Sequence, residues 1–275
     1  MTSWEKRVTS VSTIFILIII TGAICLTVPA YAVEAPIGSD PGVQQDRPRI
    51  NGDKVVWLED SISGWPGDVV FYDLTLAART QVTVSGQADL PSVSGDSVFW
   101  EDHRKPSGFY VDTDIYSYDV SSSVETVVSN RITTQYSTDA WGTKVVWYEF
   151  VDNLTRWDIF IKDTSTGVET QLNIVDDQIN PRIYGDKVVF EDLTSGKSDI
   201  IMYDTSTTAL TPVTNLPGSY QYEPDISQDK IVFSDNRNGN KDIYAYDITS
   251  PTPNGMRVTT QTADQYAPAV SSGTV

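Results

Sequence analysis

The feature that most constrains this chain is a pair of short sequence patterns that recurs five times. The first pattern begins at a proline or threonine and reaches a Trp or Phe nine residues later, and its copies start 43, 47, 43 and 43 residues apart. The second pattern is an Asp-x-x-x-x-Asp box, which follows the first in every unit. The first pattern starts at Pro48, Pro91, Thr138, Pro181 and Pro224, with a partial sixth copy at Pro268, and the boxes start at Asp68, Asp114, Asp158, Asp199 and Asp242. A period of this length predicts repeated supersecondary units.

Each unit divides into four short segments with strand character. Three or four residues after the proline lead to a turn, and an apolar segment such as KVVWLE follows. The Asp box comes third and a Thr/Val-rich segment comes last. Four strands in a unit of this length are typical of a propeller blade. We therefore predict an all-β fold: a β-propeller of four-stranded blades, with five complete repeats and the start of a sixth. A solenoid is the alternative, although its units are normally shorter.

The Asp box has a structural explanation. In the copy DIYAYD, Asp242 and Asp247 bracket an apolar segment. Short carboxylates accept backbone N–H groups at strand ends and in turns. We interpret the box as a buried third strand with a hydrogen-bonded stop at each end.

The stretch SDNRNGNKDIYAYD and the P-x-[IV]-x-[GQ]-D-K-[IV]-V-[WF] starts resemble the TolB-like propeller repeats. They are especially similar to the repeats of archaeal, methanogen-type cell-surface proteins. The resemblance covers residues 48–275 and implies a closed ring of six or seven blades. It says little about function, because one fold hosts many functions.

The chain departs from that blade number. The repeat gives blades at 48–90, 91–137, 138–180, 181–223 and 224–267, and residues 268–275 form the first strand of an incomplete sixth blade. Residues 33–47 are an N-terminal segment that can supply a ring-closing strand. Two explanations stay open: a five-bladed ring with a redundant tail, or a truncated form of a longer protein.

The first 32 residues have the layout of a secretory signal peptide. Lys6 and Arg7 precede a long uncharged apolar segment, and Ala30-Tyr31-Ala32 is a small-x-small cleavage pattern. We predict cleavage after Ala32 and a secreted or cell-surface location. The alternative is an uncleaved membrane anchor, because the apolar segment is long enough to span a bilayer.

The charge excludes one class of partner. Thirty-seven acidic and 19 basic residues give a net charge of −18, and such a surface repels a phosphate backbone. We therefore expect no nucleic-acid partner, and contact with a membrane only through an uncleaved N-terminal segment.

Catalytic constellations are scarce. The single histidine, His103, cannot form a His-rich metal site or a hydrolase triad, so we expect no metal or cofactor. Three paired carboxylates could serve glycosidic cleavage, but their recurrence at one position in blade after blade favours a structural cause. They are Glu59-Asp60, Glu101-Asp102 and Glu191-Asp192.

Two groups of residues are candidate binding sites. The loops between second and third strands vary most, and aromatic and arginine side chains dominate interface energetics. The loop candidates are Trp65, His103, Arg104, Phe109, Tyr110 and Arg237. A recurring Gln-x-x-Pro element places amides on the same face, where they bind a ligand or tie blades together. Its glutamines are Gln45, Gln135, Gln178, Gln221 and Gln265, and Gln87 is shifted by one position. Asn153 lies in the glycosylation sequon of the third loop.

These observations favour an exported, non-enzymatic propeller that binds protein or glycan at the cell surface. One alternative is a carbohydrate-active lyase or hydrolase on a propeller scaffold. Another is a structural component of a surface layer.

Overall fold

The structure is a computed structural model that describes residues 37, 42–60, 66–104, 113–151, 155–194 and 196–271, with the backbone alone of Asp60. Blade 1 comprises β1 (Gln44–Asn51), β2 (Lys54–Asp60), β3 (Asp68–Asp73) and β4 (Ala78–Gln81). Blade 2 comprises β5 (Ala88–Ser94), β6 (Ser97–Asp102), β7 (Asp114–Asp119) and β8 (Val124–Ser129). Blade 3 comprises β9 (Gln135–Trp141), β10 (Lys144–Val151), β11 (Arg156–Asp163) and β12 (Glu169–Gln171). Blade 4 comprises β13 (Gln178–Tyr184), β14 (Lys187–Asp192), β15 (Asp199–Asp204) and β16 (Leu210–Pro212). Blade 5 comprises β17 (Gln221–Ser227), β18 (Lys230–Asp235), β19 (Asp242–Asp247) and β20 (Met256–Arg257).

The strands form five separate four-stranded antiparallel sheets, and strands that are consecutive in sequence are neighbours in each sheet. The sheets are the blades of a five-bladed β-propeller, which confirms the predicted fold. The resemblance implied six or seven blades, whereas the described residues form five. No helix within the described ranges is long and apolar enough to cross a membrane.

The inner strand of each blade begins earlier than the sequence predicted. Strand β17, for example, begins at Gln221, three residues before Pro224, and its pairing with β18 shifts register between Tyr222 and Asp225. The prediction placed the strand in the three or four residues after the proline, and proline cannot donate to a sheet ladder. A β-bulge at the proline removes that conflict. The residue before the proline position has a positive φ in all six units: Arg47 52°, Leu90 40°, Ser137 58°, Asn180 55°, Glu223 55° and Ala267 51°.

Apolar faces pack between consecutive blades. Val56 and Phe71 of blade 1 pack in one cluster with Trp100 and Tyr116 of blade 2. Fully burying a side chain of this size contributes ~1.5–3 kcal/mol. The aromatic residue nine positions after each unit start is fully buried in all five blades: Trp57, Trp100, Trp147, Phe190 and Phe233.

The closing aspartate of each Asp box accepts turn N–H groups, which confirms this part of the structural interpretation. The opening Asp242 instead forms an ion pair with Arg257 at 2.7 Å and accepts no backbone hydrogen bond from the described residues. In the first copy, Asp68 accepts hydrogen bonds from the Gly86 N–H and the Thr83 hydroxyl at 2.7 and 3.0 Å. Asp73 accepts the N–H groups of Thr75 and Leu76 at 2.8 and 3.0 Å, which closes the following turn. Equivalent turn bonds are made by Asp119, Asp163, Asp204 and Asp247.

The partial sixth unit continues the repeat as far as residue 271. The carboxylate of Asp139 accepts the N–H of Ile183 in the next unit at 2.8 Å, and Asp225 accepts the N–H of Val270 at the same distance. Asp139 and Asp225 each lie one residue after the start of their unit, and Ile183 and Val270 each lie two residues after the start of theirs. Residues 272–275 and the predicted signal peptide at 1–32 lie outside the described residues.

Candidate functional site: a tyrosine groove between blades 4 and 5

A groove of about 400 Å³ lies between blades 4 and 5. Its size falls in the range of ~300–1,000 Å³ that is usual for small-molecule sites. It is built from the start of the inner strands β13 and β17 and from the loops that lead into β15 and β19. We call it the tyrosine groove; its lining includes Ile179, Asn180, Glu191, Leu193, Lys197, Ser198, Tyr220, Tyr222, Glu223 and Lys241.

Two parallel tyrosine rings form one wall of the groove. Tyr220 and Tyr222 have ring centroids 5.9 Å apart and an interplanar angle of 2°. They share one side of the chain because side chains alternate along a strand. The Lys197 ammonium lies 5.3 Å from the Tyr220 centroid, and the Lys241 ammonium lies 4.5 Å from that of Tyr222. The wall therefore combines an accessible aromatic surface with two cations.

A buried carboxylate, Glu191, lies in the lining of the groove. Its Oε1 accepts hydrogen bonds from Asn180 Nδ2 at 2.8 Å and from the N–H of Glu223 at 2.9 Å. Its Oε2 lies 3.0 Å from the Ser198 hydroxyl, whose single proton is shared between Glu191 and the Gln221 carbonyl. Burial raises the pKa of Glu191, and these donors oppose that shift. Glu191 thus joins blade 4 to blade 5 through a satisfied set of hydrogen bonds.

The second acid of the groove is also engaged. Glu223 Oε2 accepts the N–H of Ala267 at 2.7 Å and the Ser234 hydroxyl at 3.0 Å. The arrangement suits a recognition surface, since both carboxylates hold protein donors.

The same place in blade 2 carries different side chains. Glu101 and Glu191 each lie ten residues after the proline of their unit, and each accepts the N–H of the residue before the next unit's start. The neighbours differ: Asp89 and His103 of blade 2 correspond to Ile179 and Leu193 of blade 4. We call Asp89, Glu101 and His103 the acidic seam. Burial raises the pKa of Glu101 to about 8 and lowers the pKa of His103.

The predicted arginine anchors are held by their own blades. Arg104 makes an ion pair with the buried Asp102 at 2.7 Å, and its guanidinium lies 4.2 Å from the centroid of Tyr116. Arg237 repeats this arrangement in blade 5, with an ion pair to Asp235 and its guanidinium over a tyrosine ring of β19. Since the pattern recurs, we assign both arginines a structural role and place neither in the tyrosine groove.

The predicted glutamines lie at the starts of the inner strands. Gln135, Gln178 and Gln221 are fully buried, and Gln45 is 4% exposed. Their amides bond nearby groups; Gln135 Nε2, for example, donates to the Thr133 carbonyl at 2.7 Å. Gln265 is half-buried and bonds the Ala263 carbonyl. In blade 2 the equivalent position, three residues before the proline, is occupied by Ala88, and Gln87 precedes it. Ala88 exchanges two backbone hydrogen bonds of 2.9 Å with Gly67.

The remaining candidates divide into two groups. His103 is half-buried at the end of β6 and its N–H donates to the Gln87 carbonyl at 2.8 Å. Trp65, Phe109, Tyr110 and Asn153 lie outside the described residues.

The paired carboxylates do not all share one position, contrary to the sequence interpretation. Strand pairing makes Glu59 the counterpart of Asp102, because each lies two residues after the buried tryptophan. Both accept the indole N–H of that tryptophan, at 3.0 and 2.9 Å. The structural cause therefore holds for this position, whereas the position of Glu101 carries Leu58 in blade 1.

Sequence reasoning missed Tyr220 and Tyr222. A signal was present in SYQYEP, where tyrosines flank the recurring glutamine on both sides only in the fifth unit. The repeat pattern marks residues that the units share, such as this glutamine, and it does not mark this pair of tyrosines, which the other units lack.

Comparison with known proteins gives the fold. No family model matches the chain, and no curated protein is significantly similar to it. TolB from Acinetobacter baumannii is similar at 16% identity and a TM-score of 0.59, over 86% of this chain and 59% of that one. A structure from a study of two prolyl endopeptidases is similar at 13% identity and a TM-score of 0.63, over 84% of this chain and 38% of that one.

The propeller domain of the Trilobed protease from Pyrococcus furiosus is a third similar structure. It shares 14% identity at a TM-score of 0.62, over 85% of this chain and 76% of that one. The chain spans only 59% of the TolB structure and 38% of the endopeptidase structure. At these identities the likeness concerns the propeller fold, which TolB and peptidase propeller domains share.

Proposed function

We propose that this chain is an exported, non-enzymatic propeller whose tyrosine groove binds a glycan at the cell surface. The observation that carries the proposal is the parallel pair Tyr220 and Tyr222 with an ammonium group over each ring. The apolar C–H face of a sugar ring packs well on an aromatic face, while the tyrosine hydroxyls supply polar contacts.

The two lysines of the tyrosine wall favour an acidic sugar, while Glu191 and Glu223 of the same groove accept hydrogen bonds from protein N–H groups. The chain as a whole carries a net charge of −18, yet Lys197 and Lys241 lie together on this wall. A carboxylate on the sugar can pair with an ammonium group of this wall, so we expect preference for uronic-acid glycans over neutral ones. The signal-like N-terminus supports export, and the surface location is part of the proposal.

The carboxylates of the groove favour binding over catalysis. A general acid or nucleophile needs an oxygen directed at the substrate. Glu191 and Glu223 instead accept backbone N–H groups at 2.9 and 2.7 Å. The enzymatic alternative predicts new chain ends or unsaturated products after incubation with the glycan, and we expect neither.

Calorimetry with a hexuronic-acid oligosaccharide, compared with a neutral oligosaccharide of equal length, tests the proposal. We expect Tyr222→Ala to weaken binding of the acidic glycan at least tenfold and Lys241→Gln to reduce the preference for it. Tyr266→Ala is the matched control, since Tyr266 also follows a recurring glutamine but lies outside the groove and is 67% exposed. Unchanged affinity in Tyr222→Ala, or no binding of any glycan, would overturn the glycan proposal and favour a protein partner.

A further inference from the structure

The acidic seam brings three metal-binding side chains together in blade 2. Asp89 on β5 and Glu101 on β6 are directly paired across the sheet. His103 follows two residues after Glu101, and its backbone is held by the Gln87 carbonyl. One ligand atom from each of the three side chains lies within 4.8 Å of the other two.

Two buried acids face each other at this place. Asp89 is 1% exposed and Glu101 is fully buried. Like charges directly opposite each other on a sheet are destabilising, and burial increases that cost. Arg47 from blade 1 forms an ion pair with Asp89 and offsets one of the two charges. Whenever Glu101 is ionised, a second positive charge would complete the compensation.

One oxygen of Glu101 lacks a hydrogen-bond partner. Glu101 Oε1 accepts the N–H of Ser137, whereas Oε2 is buried and accepts no hydrogen bond from any described residue. The equivalent Glu191 has the Ser198 hydroxyl 3.0 Å from its Oε2, although that hydroxyl also bonds the Gln221 carbonyl. In blade 2 the corresponding Thr113 hydroxyl donates to the Gln135 carbonyl at 2.6 Å, and Glu101 Oε2 is left without a donor among the described residues. A buried carboxylate oxygen without a donor is a place for a cation.

We propose that Asp89, Glu101 and His103 bind a divalent transition-metal cation of the Zn²⁺ class. One imidazole and two carboxylates form a mixed N/O ligand set that suits this class, whereas calcium and magnesium prefer oxygen ligands alone. Ligand atoms around zinc lie about 2.0–2.2 Å from the metal, so the three side chains close slightly when they bind it. Three protein ligands leave a further position for water or a ligand.

The proposal differs from the His-rich sites that the single histidine ruled out. Because His103 is the single histidine of the sequence, any imidazole resonance that responds to metal can be assigned to it. The chain must therefore be purified through a tag that contains no histidine.

Titration with Zn²⁺, followed by calorimetry and by ¹H–¹⁵N spectra of the imidazole, tests the site. We expect one Zn²⁺ per chain and a shift of the imidazole nitrogen resonances. Glu101→Gln and His103→Asn should each weaken binding at least tenfold. His103 is half-buried at a strand end, so its variant remains informative if Glu101→Gln does not fold.

Two further variants sharpen the result. Glu191→Gln is the matched control, because it alters the equivalent acid beside Ile179 and Leu193, and it should leave Zn²⁺ affinity unchanged. Arg47→Gln removes the cation that competes for Asp89 and should tighten binding several-fold. Absence of Zn²⁺ binding at 1 mM, or equal affinity in His103→Asn, would overturn the proposal, as would weaker binding in Arg47→Gln.

Discussion

The acidic seam and the tyrosine groove occupy equivalent places on one scaffold and differ in chemistry. Both are built around a buried glutamate that accepts an N–H from the next blade. In blade 2 that glutamate has an acid and a histidine beside it, and in blade 4 it has an isoleucine and a leucine. The repeated positions therefore hold the blades together, and the unshared neighbours decide what each place can bind.

The largest expected effect tests whether the two places share a scaffold. Trp100 and Phe190 are equivalent and fully buried. Truncating either to alanine leaves a cavity and should cost about 3–5 kcal/mol of unfolding free energy. Urea unfolding measures both variants. A cost above 2 kcal/mol in one blade and near zero in the other would contradict an equivalent scaffold.

A smaller effect separates the two glutamates. Glu191 accepts hydrogen bonds from the Asn180 amide and the Glu223 N–H, whereas Glu101 accepts the single N–H of Ser137. Glu191→Ala leaves one more donor unpaired than Glu101→Ala, the Asn180 amide, because the Ser198 hydroxyl keeps the Gln221 carbonyl as a partner. We expect Glu191→Ala to be about 0.5–1.5 kcal/mol more costly in the presence of EDTA. Equal costs would show that the local hydrogen bonds do not distinguish the two glutamates.

The smallest effect concerns the turn aspartates, which the blades share. The Ser121 hydroxyl and neighbouring donors lower the pKa of Asp119, and the Lys187 ammonium at 2.6 Å lowers the pKa of Asp204 more strongly. A carboxylate with a lowered folded-state pKa stabilises the protein above its unfolded pKa of about 3.9, and that stabilisation is lost on further acidification. The melting temperature should therefore decrease as the pH is lowered below about 4. Asp204→Ala should reduce this decrease more than Asp119→Ala does. A melting temperature independent of pH between 5 and 3 would contradict the assignment.

The repeat determined the blade architecture in advance because each unit carries its own strand pattern and turn residues. The role of Asp73 as a turn acceptor followed from the same local logic. The predicted start of the inner strand was wrong. The bulge before Pro224 arises from pairing between two strands, and a local sequence pattern does not show that pairing. Local patterns identify strands well, but they do not give register.

The sites were harder to predict because they depend on contacts between units. The sequence predicts Arg104 and Arg237 as binding anchors on loops, yet each pairs with an aspartate two residues before it. The acidic seam requires Asp89 to lie opposite Glu101, and only the strand register brings them together. Unshared residues at repeated positions were the useful signal in both places.

On this account, blades 2 and 4 share a scaffold and owe their different chemistry to the residues beside Glu101 and Glu191. The most direct test exchanges those residues between the two blades and measures by calorimetry the number of Zn²⁺ ions bound per chain. The unaltered chain should bind one Zn²⁺. Asp89→Ile with His103→Leu should bind none, and Ile179→Asp with Leu193→His should bind two, because the second pair builds an acid–histidine set around Glu191. The same stoichiometry in all three proteins would contradict the account.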